Sequence, residues 1–374
     1  MAKGRTVFVI THPEEHVQIG DVRNRVRTLN ELKTALNALG NGSLGLSTTS
    51  VYVGQGGVRA SGTVTLSGVG GAAATGSYAL TDVGGTAASG TVTLGGGAGD
   101  VTVVTDGTSV GPVAFNTDDT QTALDCIAAL NGDGAFAAKA TASDGGAGVI
   151  TITWDTKGTV GNSKTLTASR SAGTATASGA TLAGGVQGAV TVEINGTSVG
   201  PVDTTNLTDT AAATAVAAAI EANGTLGPLL AAVGSTTNVN LTWGAKGTAG
   251  NATTLAVGVS ATGTATRSGA TLAGGAQGSV TVTVNGTAEV TDTTNLTDSA
   301  AATLVASEVS ANTTLDDYVS ASADSAVVTV QALRYGLDGN AMTLASATAT
   351  GTATASGARL TGGTEPTGQT LGRP

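Results

Sequence analysis

The chain has 374 residues, of which 40% are apolar, 2% aromatic and 11% charged, with a net charge of −10. An acidic body repels phosphate, which argues against nucleic-acid binding through most of the chain. The single cysteine, Cys126, excludes an internal disulfide, and no run of about twenty apolar residues could span a membrane as a helix.

Most of the apolar residues are Ala and Val, so each core is expected to be thin and each domain small. The first expected unit is an attachment module over residues 1–58. It holds six basic residues (Lys3, Arg5, Arg23, Arg25, Arg27, Lys33) against four acidic ones (Glu14, Glu15, Asp21, Glu31), so the rest of the chain is more acidic still. A short strand is expected at 6–10 and a helix over 21–39, with Val22, Val26, Leu29, Leu32, Leu36 and Leu39 on one stripe and Gly40 as its stop. Leu29, Leu32, Leu36 and Leu39 also fit the spacing of a short oligomerising coil. Between strand and helix lies His12-Pro13-Glu14-Glu15-His16, which holds both histidines of the chain. It formally matches an inverted zincin motif, in which two His bind zinc and a Glu is the base. Pro13 and the lack of a surrounding catalytic domain favour a polar turn instead.

Residues 59–97 contain Ser61-Gly62-Thr63-Val64-Thr65-Leu66 and its near-copy Ser89-Gly90-Thr91-Val92-Thr93-Leu94, with Gly/Ala-rich sequence and Tyr78 between them. They read as a short β linker or a degenerate half-repeat. Three copies of one unit of about ninety residues follow, over 98–186, 187–276 and 277–364. Asp106-Gly107-Thr108 recurs as Asn195-Gly196-Thr197 and Asn285-Gly286-Thr287, and Gly161-Asn162 recurs as Gly250-Asn251 and Gly339-Asn340. Ser178-Gly179-Ala180-Thr181-Leu182 recurs from Ser268 and, as Ser356-Gly357-Ala358-Arg359-Leu360, near the end.

In the middle copy, 190–194 alternates at period two as a half-buried strand does, Asn195-Gly196 supplies a hairpin turn, and 197–202 returns. Thr208 or Asp209 caps a helix stapled by Leu207 and stopped by Asn223-Gly224. Four more strands are expected at 229–233, 239–243, 253–259 and 265–272. The predicted fold is therefore mainly β: tandem small sandwich-like domains, each with one helix, behind a short α/β module. Residues 365–374 are expected as a tail that is extended unless a neighbour holds it.

Trp154 and Trp243 occupy equivalent places, where the third copy has Ala332. They are expected to anchor thin cores; a stacking platform for sugars or bases is the sharper alternative. Cys126 is expected to be a buried small hydrophobe. The sequons at Asn195, Asn206, Asn251, Asn285 and Asn295 read as turn chemistry, since no signal segment is expected. No catalytic, cofactor-binding or metal-ligating residue is nominated, and an enzyme is not expected.

In its order of hairpin, Ala-rich helix, Trp-Gly-Ala-Lys-Gly-Thr-Ala-Gly-Asn strand and closing Ser-Gly-Ala-Thr-Leu-Ala-Gly-Gly, the repeat resembles the β-rich insert domain of Mu-like phage tail sheath proteins and of other phage virion proteins. The resemblance covers about 270 residues, from about 95 to 364. It implies a virion component without catalytic residues. A sheath also needs a large α/β core, which residues 1–58 are too short to supply. The expectation is thus a capsid decoration or head-fibre protein, with a tail fibre or tail-associated protein second and a bacterial surface adhesin third. The expected partners are phage capsid or tail proteins, further copies of the chain (a trimer favoured) and a host-surface glycan, with no nucleic acid and no membrane. Assembly is expected in the host cytoplasm.

Overall fold

A computed structural model describes residues 57–260 and 263–365, together with the backbone of four short strands, His16–Ile19, Val22–Arg25, Tyr52–Gln55 and Thr367–Thr370. The chain forms two compact units: Ala73–Gly275, and Met1–Ala72 with Ala276–Pro374. It is mainly β, with small antiparallel sheets and a helix in each domain.

Within Ala73–Gly275 the middle repeat folds much as its pattern predicts. Ala189–Ile194 and Thr197–Asp203 form a hairpin around Asn195, whose φ is 51°. Leu255–Val259 pairs with the other side of the first of these strands to complete a three-stranded sheet. The second sheet has four strands in the order Leu230–Ser235, Asn238–Lys246, Ala73–Thr81, Thr264–Arg267. The helix Asp209–Glu221 turns Ala212, Ala213, Val216, Ala217 and Ile220 into the core. Its small residues allow close approach: a Cβ on Gly234 would lie 2.6 Å from the helix backbone at Thr214.

One of those strands, Ala73–Thr81, comes from the stretch expected to be a linker. The same holds in every domain. Ala87–Gly95 lies between Thr174–Ala177 and Val149–Lys157 in the first domain, whose four-stranded sheet ends with Ala140–Gly146. In the other unit, Arg59–Ser67 lies between Thr352–Ala355 and Val327–Tyr335 in the third domain, whose sheet ends with Val319–Asp324. Residues 59–97 are therefore neither linker nor half-repeat. They supply an interior strand to the third, second and first domain, in that order. Each strand alternates correctly for the task, burying Ala60, Val64 and Leu66, then Ala74, Tyr78 and Leu80, then Ala88, Val92 and Leu94. The first domain thus interrupts the second in sequence, and the second interrupts the third.

The three-stranded sheets of the outer two copies repeat the middle one: Leu166–Arg170, Val101–Thr105 and Thr108–Val113 in the first, and Thr287–Asp292, Ser279–Val284 and Leu344–Thr348 in the third. The hairpins differ at one point. Gly111-Pro112 and Gly200-Pro201 sit where the register of the first two slips by a residue. The third hairpin is one residue shorter there, and Ser279–Val284 pairs with Thr287–Asp292 without a slip. The first domain adds a short helix, Gly134–Ala137, which buries Phe136.

One expectation near the start of the chain is also corrected. Val22–Arg25 is a strand paired with His16–Ile19, so the expected helix over 21–39 does not begin there; its remainder, with the Leu29–Leu39 stripe, lies outside the described residues, as do 6–10. Val22 is followed by three polar residues, a pattern that fixes neither helix nor strand, and backbone pairing with His16–Ile19 decides for the strand. At the other end the extended tail is held: Thr367–Thr370 pairs antiparallel with Tyr52–Gln55, and Val58 bridges Thr364 just inside that pair.

Candidate functional site

The residues that recur at equal spacing converge on the donated strands. In the second domain, Asn251 donates from its side-chain amide to the Gly275 carbonyl (2.9 Å) and accepts from the Gly275 N–H (2.9 Å). Asn162 with Gly185 and Asn340 with Gly363 repeat the pair. The glycine before each Asn lies against the donated strand. A Cβ on Gly250 would be 2.7 Å from Trp243 Cγ and 2.8 Å from Ala74 Cβ, and one on Gly161 would be 2.6 Å from Ala88 Cβ. This explains the Gly-Asn pair and the Ala at the second position of every donated strand.

The closing Ser-Gly run serves the same strand. The Ser268 hydroxyl accepts from the Ser77 N–H at 2.9 Å, as Ser178 does from Thr91 and Ser356 from Thr63. Leu182, Leu272 and Leu360 of this run are fully buried. Their methyls occupy the space opposite Gly90, Gly76 and Gly62, where an added Cβ would meet a leucine Cδ2 at 2.7 to 3.0 Å.

At the far end of the strand, the first carboxylate of the helix completes the hold. Thr208 caps the helix by accepting from the Ala211 N–H, which leaves Asp209 to reach the turn after Ala73–Thr81. Asp209 accepts from Asp82 N–H (3.0 Å) and Val83 N–H (3.2 Å). Asp298 does the same for Gly68 and Val69. In the first domain Asp119 accepts from the Gly97 N–H (3.4 Å) and also binds Arg170, at 2.7 Å, whose buried guanidinium donates to the carbonyls of Gly95 and Gly99.

The residues singled out from sequence fall elsewhere. Trp154 is buried, with Lys164 Nζ 4.9 Å and Lys139 Nζ 5.9 Å from its ring, and both ammonium groups lie within 4 Å of Asp106. A ring capped by paired cations is a core anchor and leaves no open face for a base or sugar. Trp243 is half-buried against its own domain core, and Ala332 is fully buried. Cys126 is a buried free thiol that burial pushes up to about 11, which makes it a poor nucleophile at neutral pH. Asn195, Asn206, Asn285 and Asn295 all have positive φ, the conformation Asn tolerates in turns, and the Asn251 amide is engaged with Gly275. His12 lies outside the described residues, and only the backbone of His16 is described. Among the described residues no three His, Cys, Asp or Glu side chains are grouped to hold a metal ion.

What sequence reasoning missed is the role of 59–97. The signal was present: Ala74-Thr75-Gly76-Ser77-Tyr78-Ala79-Leu80 is the middle copy between the two Ser-Gly-Thr-Val-Thr-Leu runs, disguised by Tyr78 and Ala79.

No protein family model matches the chain, and no curated protein matches it. Among solved structures, the flagellar cap protein FliD of Helicobacter pylori is similar over 82% of this chain and 99% of that one, at 9% identity and a TM-score of 0.15. So loose a likeness carries no argument about fold or function.

Proposed function

We propose that this chain is a structural component of a bacteriophage particle, a capsid decoration or head-fibre protein that displays its acidic β-domains from one point of attachment. The observation that supports this reading is the pairing of the two chain segments that flank the repeats. Val58 bridges Thr364, and Tyr52–Gln55 pairs with Thr367–Thr370, so the chain enters and leaves the three nested domains through one two-stranded stem. Such an arrangement suits a module carried on a support that the domains do not themselves build. The resemblance of the repeats to phage tail-sheath inserts supplies the particle. The polar groups that recur around the donated strands are spent on holding backbone.

The proposed partners are capsid proteins at the stem and further copies of the chain, as a trimer. The edge strand Thr197–Asp203 is suited to side-by-side association. Electron microscopy of purified particles carrying a label on the Asn285-Gly286 turn tests the assignment. Label on the head is expected. Label on the tail would move the protein to the tail-associated class, and particles without label would refute a virion role. Native mass measurement of the isolated chain should give a trimer; a monomer at micromolar concentration would remove that part of the proposal.

A further inference from the structure

We infer that each repeat of about ninety residues is an incomplete domain whose acceptor groove binds a nine-residue strand of the same chain, and that nesting makes closure of the first and second domains mutually dependent. The groove in the second domain lies between Asn238–Lys246 and Thr264–Arg267, and Ala73–Thr81 fills it by pairing with both. In the first domain the groove lies between Val149–Lys157 and Thr174–Ala177, and Ala87–Gly95 fills it. The ligand class is defined by the positions that face the core: Ala, then Gly, then Val or Tyr, then Leu, at alternate residues, all buried but Gly76, which is half-buried. Removing the strand would leave an interior gap in the sheet and expose the leucines that pack on its glycine.

The dependence follows from connectivity. The strand donated to the second domain ends at Thr81, and the body of that domain resumes at Ala189. The first domain occupies the interval and brings its own ends together: Thr86 bridges Val186, and a Cβ on Gly85 would lie 2.6 Å from Gly188 N. With the first domain folded, the second closes a loop of roughly ten flexible residues. With it unfolded, the loop is roughly a hundred residues, and closure becomes roughly thirty-fold less favourable by the three-halves power of loop length. Linkage requires the same factor in reverse: an open second domain must weaken the first equally. Direct contacts within this unit, such as the Lys157 N–H to the Asn206 side-chain oxygen at 2.7 Å, add to the loop term.

Amide hydrogen exchange on the full chain tests this. Val92→Asp places an unpaired carboxylate at a fully buried position of the first donated strand and should open that domain. The Val239 and Leu241 amides of the second domain should then exchange roughly thirty-fold faster, or more. Tyr78→Asp should accelerate the Ile150 and Ile152 amides of the first domain by a comparable factor. If either neighbour exchanges at its wild-type rate, the coupling is refuted. If Val92→Asp yields no soluble protein, two replacements of residues 87–185 measure the same quantity: a four-residue Gly-containing turn and a hundred-residue Gly/Ser linker. Second-domain exchange should be roughly thirty-fold faster with the long linker than with the short one, and equal rates would overturn the inference.

Discussion

At the scale of single residues, the molecule is held by small groups placed where nothing larger fits. Gly250 sits between Trp243 and Ala74, and Gly250→Val would drive a side chain into two rigid neighbours. The expected cost is about 1–3 kcal/mol, read as a lower midpoint of urea unfolding followed by Trp243 fluorescence. Tyr78 is the largest fully buried side chain of the second domain, and its hydroxyl donates to the Glu193 carbonyl at 3.2 Å. Burial raises its pKa above the ordinary tyrosine range, so it stays protonated in the folded domain. Tyr78→Phe should therefore cost about 1 kcal/mol, through the hydrogen bond alone. The carboxylates of Asp203 and Asp292 accept from the N–H and hydroxyl of Thr205 and Thr294, which holds both below the usual carboxylate range. A depressed carboxyl stabilises the fold above its unfolded pKa and loses that contribution as pH falls through the folded one. Stability should thus decline on acidification below about pH 4, and the double substitution Asp203→Asn with Asp292→Asn should flatten that part of the profile in pH-resolved thermal melts.

At the scale of elements, periodicity carries far. The hairpin around Asn195-Gly196 and the helix capped at Thr208 lie within a residue or so of where alternation and turn chemistry put them, and the next three strands end within about three residues of their expected bounds. Those signals are local, so they survive reading along one line. The partner of a strand is not local. Nothing in Ala73–Thr81 alone says that it pairs with Asn238–Lys246, more than 150 residues away. Only the matching count of three short motifs and three bodies encodes it, and Tyr78 in place of Val hid one motif. The closing strand expected at 265–272 shortens to Thr264–Arg267 for a related reason: from Ser268 the chain leaves the sheet edge to seal the domain through isolated bridges at Thr271 and Ala273. The difference between linker and strand is open to a truncation test. A chain beginning at residue 57 retains every donated strand and should keep all three domains folded, while failing to dock on particles. A chain beginning at residue 70 lacks Arg59–Ser67 and should lose the protection of Val328 and Val330 in hydrogen exchange, with Ile150 and Val239 still protected.

At the scale of the whole molecule, the repeats are tandem in sequence but nested in construction. Removing residues 98–186, the repeat as it reads along the sequence, would strand Ala87–Gly95 without an acceptor and expose Val92 and Leu94. Removing 87–185 and joining the ends with a short turn would take away one complete domain. The second deletion should yield a soluble chain with cooperative unfolding, and the first should yield aggregate, as size-exclusion chromatography of the two would reveal. The domains also differ in core content. The first buries Phe136 and Trp154, and the second buries Tyr78, whereas among the described residues the third core contains no aromatic side chain. At about 25 cal/mol per Å² of buried apolar surface, one missing aromatic removes several kcal/mol from so small a domain. Arg59–Ser67 and its acceptor should accordingly be the first to open on heating.

The spacing of the donated strands has a consequence for how such a protein can grow. Adding a fourth member at either end would supply a body without its strand or a strand without its body. A complete newcomer fits only at the innermost turn, or as a new outer layer split across both flanks. Longer or shorter versions of this protein should therefore carry equal numbers of short upstream motifs and downstream bodies, in mirrored order, on an unchanged stem.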